Sequence, residues 1–184
     1  MLKNENKQDI LKVLNHLDHV LVSRILEMSV LKQFPKHTEL LRDGQYIKVI
    51  PIVLKGLIKV YTRYEDRELL LYYIQPKESC IMSFSASLKN EPSQIFALTE
   101  EDSVVLLLPV QHISKLLTQY PSFNTLFFQQ YNQRYNKLLK TIHHVLFDRM
   151  DKRLFEHLKN KTEITSENPI RISHQQIANE LGTV

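Results

Sequence analysis

Ile52-Val53-Leu54-Lys55-Gly56-Leu57-Ile58-Lys59-Val60-Tyr61 is two apolar runs, rich in β-branched residues, joined through a Lys-Gly pair. Residues of this kind suit a pleated, half-buried surface, and Gly turns a chain at positive φ with the least strain. The pattern extends outward from there. Ile47 to Leu54, Leu57 to Tyr64 and Arg67 to Ile74 are short runs of Ile, Val, Leu and Tyr. Turn signals flank and separate them: Phe34-Pro35-Lys36, Arg42-Asp43-Gly44, Lys55-Gly56, Glu65-Asp66 and Gln75-Pro76-Lys77. Ser93 to Ala97 and Ser103 to Leu108 supply two more strands, the second apolar enough to be buried. Short strands at regular spacing over residues 30–109 predict an antiparallel β-roll of the jelly-roll type.

Helical periodicity brackets this region, which makes the fold α+β. Asp9 to Met28 carries one apolar stripe through Ile10, Leu11, Val13, Leu14 and Leu17 and a second through Val22, Ile25 and Leu26. After Pro109, Gln111 to Gln119 reads as a short helix, and Pro121 resets the chain. From Pro121 to Phe147, Phe128, Tyr131, Tyr135, Leu138, Ile142 and Val145 recur at alternating spacings of three and four. That rhythm makes an apolar seam for a partner helix, on a rod of roughly 39 Å at about 1.5 Å per residue. The next seam position is Arg149, so Phe147, Asp148 and Arg149 read as a hinge. Met150 to Leu158 is amphipathic, and Lys159 to Pro169 is polar enough to be a connecting loop. Ser173 and Gln176 have capping-box spacing, with Ile177 and Leu181 facing inward. Ala178 followed by Gly182 suits the close crossing and corner of a helix-turn-helix. The chain stops where the second helix of that motif is expected.

Composition narrows the function. Net charge is +4, with nine Lys/Arg against six Asp/Glu from Pro121 onward, a basic bias compatible with a polyanion. The single cysteine, Cys80, excludes a disulfide framework within the chain and an iron–sulfur cluster; it is either a redox-sensitive thiol or a small buried apolar residue. No apolar run is long enough to span a membrane, and the polar start leads into no signal-peptide core, so a cytoplasmic location is expected. A metal-dependent enzyme of the cupin type would gather several histidines in the strands, where only His37 stands. No catalytic residue, metal site or cofactor is expected.

The order of helices, β-roll, long helix, hinge and helix-turn-helix resembles the Crp/Fnr superfamily of bacterial transcription regulators over nearly the whole chain. The resemblance rests on Ile52 to Tyr61, continuing through Arg67 to Glu78, and on Val104 to Pro109, Pro121, Asp151-Lys152-Arg153-Leu154 and Ile172 to Gly182. It implies a sensor domain similar to a cyclic-nucleotide-binding domain at 1–120, a dimerisation helix at 121–147, and the start of a winged helix-turn-helix at 148–184, truncated before its recognition helix. It further implies a dimer on a palindromic double-stranded DNA operator in the full-length form, with RNA polymerase a candidate further partner. The dimer interface would use Phe128, Tyr131, Tyr135, Leu138, Ile142 and Val145. Lys152, Arg153, His174 and Gln175 would contact the DNA backbone.

The residues that hold a cyclic nucleotide in the family are replaced. Ile81 and Met82 stand where a Gly-Glu pair binds the ribose, and Ser93 and Gln94 where an Arg-Ser pair binds the phosphate. Leu138 and Leu139 match two hydroxyl residues that reach the base. Losing the charge-assisted contacts removes most affinity for cAMP, which is therefore not the expected ligand. Met82, Ser83, Ser93, Gln94, Leu138 and Leu139 remain candidates to line a pocket for another effector. The competing and preferred reading is that the serines, with Ser85 and Ser87, are solvated loop residues. An alternative function is a regulatory module that binds a ligand or protein partner and no DNA.

Overall fold

The computed structural model describes residues 10, 11, 14, 15, 17–65, 67–147 and 149–183. In chain order the helices and strands are α1 (His19–Met28), β1 (Val30–Phe34), β2 (Glu39–Leu41), β3 (Val49–Lys55), β4 (Ile58–Tyr64) and β5 (Arg67–Ile74). There follow α2 (Ile81–Lys89), β6 (Phe96–Thr99), β7 (Ser103–Pro109), α3 (Ile113–Gln119), α4 (Pro121–Phe147), α5 (Met150–Thr165) and α6 (His174–Leu181). The strands form two antiparallel sheets, β1-β7-β3 and β2-β6-β4-β5. This is the α+β architecture expected, with a roll between helical ends.

The three-stranded sheet explains the unbroken apolar run at Val104–Leu108. Side chains alternate across a strand, so Leu106 and Leu108 enter a core shared with α1 and α4, while Val105 enters a second core between the sheets. Ile50 and Ile52 join the first core and Val53 the second. A strand buried on both faces shows no polar alternation. Gly56, at φ +90°, joins β3 to β4. A Cβ there would collide with Ser103 Oγ and lie 2.7 Å from the Asp102 carbonyl oxygen, so close approach as well as turning demands glycine.

The two stripes of residues 9–28 are separate: Leu14-Asn15 form a turn, and Asp18 caps α1 by accepting from the Val20 and Leu21 N–H groups at 2.8 and 3.2 Å. Of the stripe residues, Val13 lies outside the described residues. Three boundaries differ from the sequence reading. The strand expected at Ser93 to Ala97 begins only at Phe96, because Ser93 Oγ forms a local turn, donating to the Ile95 carbonyl and accepting from its N–H. Residues 81–89, read as part of a loop, are helical: Cys80 caps α2, its Sγ accepting from the Ser83 N–H at 3.4 Å. The segment expected as a loop from Lys159 is helical to Thr165. Thr162 and Thr165 donate their hydroxyls to the Leu158 and Lys161 carbonyls, and Lys161 is buried.

Candidate functional site

The long helix α4 meets the β-roll with one face. Phe123, Leu126 and Phe127 bury its first turns. Phe127 stacks on Phe84 of α2 with ring centroids 3.6 Å apart, so α2 is held against α4. Farther along, Gln130 Oε1 accepts from the Ser79 N–H at 2.8 Å, and Arg134 Nη2 donates to Glu78 Oε2 at 2.6 Å. The Arg134 guanidinium lies 4.4 Å from the Tyr72 ring centroid, a cation–π contact on β5. Arg134 is 6% exposed, and its Nε and Nη1 have no hydrogen-bond partner. Burial pushes the Tyr72 hydroxyl well above its ordinary pKa, and the neighbouring Cys80 adds to this while Arg134 opposes it.

The six effector-pocket candidates do not converge on one cavity. Met82 is half-buried against the inter-sheet core, Ser83 is buried on α2, and the Ser93 hydroxyl is engaged with Ile95. Gln94 is exposed. The two buried serines therefore depart from the solvated-loop reading. Leu138 and Leu139 are exposed and line neither of the two cavities described below. Geometry accounts for this. At about 100° per residue, Leu139 sits about 140° round the helix from Arg134, and Leu138 lies a turn beyond it. Gln130 and Arg134 fix the middle of α4 to Ser79 and Glu78, just before α2, and sequence reasoning missed both.

Beyond Phe147 the chain leaves α4 and restarts at Met150, with Arg149 as N-cap in extended backbone. Asp148 and the side chains of Phe147 and Val145 lie outside the described residues. Helices α5 and α6 then dock on β5 through a buried polar cluster. Lys161 Nζ donates to both Glu180 oxygens, at 2.9 and 3.0 Å, and to the Tyr73 hydroxyl at 3.1 Å. Gln176 Nε2 donates to Glu180 Oε1 at 3.0 Å, and His157 Nε2 lies 2.9 Å from Oε2. Burial alone would raise the Glu180 carboxyl, but His157, Lys161 and Gln176 overcome it and hold the pKa down to about 2. Burial, and then the Glu180 charge, push the Tyr73 hydroxyl far upward, so it stays protonated. Glu180 shares the inner side of α6 with Ile177, and a carboxylate at such a position is the signal that could have disclosed the cluster.

The Ser173 cap forms as expected, its Oγ accepting from the Gln176 N–H at 3.1 Å, while the Gln176 side chain turns to Glu180. Of the DNA-backbone candidates, Lys152, His174 and Gln175 are exposed. Arg153 is half-buried and donates through Nη2 to the Leu181 carbonyl at 2.9 Å, tying α5 to the end of α6.

About a quarter-turn round α4 from the face that meets the β-roll, Phe128, Tyr131, Tyr135, Leu138 and Ile142 are all exposed, from 74% at Phe128 to 46% at Ile142. An apolar cavity of about 310 Å³ between α2, α3 and α4 opens beside this seam, walled by Phe84, Leu88, Leu117 and Phe127. A second, of about 440 Å³, lies between β5, α4, α5 and α6 and is partly polar. Among the described residues no helix is long and apolar enough to cross a membrane, and no three candidate metal ligands are grouped.

Residues 31–120 match the family model described as the cyclic nucleotide-binding domain. No curated protein matches the chain in sequence. Among solved structures, the c-di-GMP responsive global regulator CLP of Xanthomonas campestris is similar over 91% of this chain and 86% of its own, with 17% identity and a TM-score of 0.80. A transcriptional regulator of the Crp/Fnr family from Eubacterium rectale aligns over 92% of this chain and 79% of its own, with 20% identity and a TM-score of 0.80. A Crp/Fnr-family transcriptional regulator of Thermus thermophilus aligns over 84% and 79%, with 19% identity and a TM-score of 0.69. Residues 31–120 are thus similar in sequence to a cyclic nucleotide-binding domain, and the chain as a whole has the fold of the Crp/Fnr regulators.

Proposed function

We propose that this protein is a dimeric DNA-binding transcription regulator of Crp/Fnr type and not an enzyme. In this reading residues 1–120 sense, 121–147 dimerise, and 148–184 begin the helix-turn-helix. The observation that carries it is the seam of α4, where five large apolar side chains stand exposed in one stripe. A stripe of that kind, beside a face fixed to the β-roll, fits an identical helix related by two-fold symmetry. Two copies so paired would carry their helix-turn-helix units to half-sites about 34 Å apart, one DNA turn. RNA polymerase is a candidate further partner.

cAMP is not the effector in this reading. The roll offers neither a carboxylate for a ribose nor a guanidinium for a cyclic phosphate at Met82, Ser93 and Gln94. The test is selection of duplexes from a random pool by the product of the natural gene. Enrichment of a palindrome with half-site centres one turn apart is expected. Enrichment of nothing, or of a lone half-site bound by a monomer, would refute the proposal.

A further inference from the structure

We propose that the cavity between α2, α3 and α4 is a binding site for a small neutral aromatic molecule that carries a hydrogen-bond donor. Its volume of about 310 Å³ lies within the range of small-ligand pockets. None of the residues lining it is charged, so a phosphate, carboxylate or ammonium group would lose its hydration there without a counter-ion. Aromatic rings supply much of the wall: Phe84 from α2, and Phe127, Phe128 and Tyr131 from α4. Rings of this kind favour another flat ring, held offset or edge-on.

Two side-chain oxygens interrupt this apolar lining, and neither has a partner among the described residues. Asn124 Nδ2 donates to the Leu117 carbonyl at 2.8 Å, which fixes the amide and leaves Oδ1 as an open acceptor. The Ser85 hydroxyl, half-buried on α2, is the other. A hydrocarbon would take these oxygens from water uncompensated, whereas a ligand N–H would satisfy one of them. The cavity is distinct from the cassette region. Helices alone line it, Met82 faces the inter-sheet core, and the Ser93 hydroxyl is engaged with Ile95. Its mouth lies at Phe128 and Tyr131, so a partner helix packed on the α4 seam would cover a bound molecule. A ligand there adds to the Phe84–Phe127 stack that presses α2 on α4.

The site goes beyond the proposed function, and its failure would leave the DNA-binding reading standing. The chain has no Trp, so the fluorescence of indole reports its own surroundings when the protein is added. Indene, of nearly the same shape but without the N–H, is the competitor. A saturable blue shift of indole emission is expected, with a dissociation constant of about 0.1 mM. Indene should bind about five- to tenfold more weakly. Asn124→Leu should bring indole down to the level of indene and leave indene unchanged, which a damaged fold would not do. Ser85→Leu fills the cavity and should abolish binding of both. Circular dichroism melts verify the fold of each variant, and Asn124→Leu carries the test if Ser85→Leu unfolds. The proposal is overturned if indole fails to saturate by about 2 mM, if indene binds as tightly, or if Asn124→Leu leaves their difference intact. It is also overturned if a folded Ser85→Leu still binds indole. Binding by Leu138→Glu alone would overturn it too, because a second copy's side chain would then fill the cavity in the dimer.

Discussion

Replacing Lys161 with Met keeps the length of the side chain and removes the ammonium that faces Glu180. The two side chains are 7% and 0% exposed, so the change strands a carboxylate away from water. Removing one partner of a buried pair costs about 3–5 kcal/mol. Titration supplies a second figure, since the carboxyl is held from 4.5 down to about 2, worth about 3 kcal/mol. Tyr73, His157 and Gln176 remain as partners in the variant, which places the expected cost at the lower end, about 3 kcal/mol. In amide hydrogen exchange, the α6 amides from Ile177 to Leu181 should then exchange about a hundredfold faster. The pH dependence has a definite sign. As pH falls, the unfolded carboxyl takes up its proton first, so the native contribution is whole above about pH 4.5 and is lost towards about pH 2. The deficit of Lys161→Met relative to the parent should therefore shrink on acidification, because a protonated Glu180 needs no cation. The double variant Lys161→Met/Glu180→Met should recover most of the loss. Exchange in α6 within about threefold of the parent, or a double variant as weak as the single, would refute a buried pair holding α6 to β5.

Gly56→Ala forces a left-handed φ on a residue with a Cβ and drives it into Ser103, so a loss of about 2 kcal/mol is expected, a fall of roughly 4–8 °C in Tm by calorimetry. Leu138→Glu puts a charge in each copy of the α4 seam; sedimentation should show dimer affinity reduced by about a thousandfold, and an unchanged dimer would remove the seam from the interface. Titration of cAMP into the protein should give no binding tighter than about 1 mM, and micromolar affinity would mean that the roll supplies phosphate contacts other than those it has lost.

Much of this fold could be read locally. The period of α4 and the strands around Gly56 depend on neighbours a few residues away, which sequence pattern records directly. The extension of α5 through Thr165 does not, because Lys161 finds its partner at Glu180, in another helix. Polar residues that read as a loop become helical once one of them is neutralised across that gap. In the same way Ser83 and Ser85 look like loop serines until α2 is capped by a cysteine thiol and pressed on α4 by Phe84. The site was least legible. Arg134 and Glu78 are 56 residues apart, and Lys161 and Tyr73 are 88 apart. Neither pair leaves a spacing to recognise.

The strand that receives α6 is the last of its sheet, paired on one side with β4. Docking of α6 beside β5 therefore has a protective consequence. A free strand margin is a template on which another chain can lay down its own backbone. Any variant that releases α6 uncovers the neighbourhood of that margin, with Leu69 and Leu71 on it. Its first symptom should be a tendency to aggregate, visible as light scattering at rising concentration. Solubility is in this way tied to the contact that seats α6.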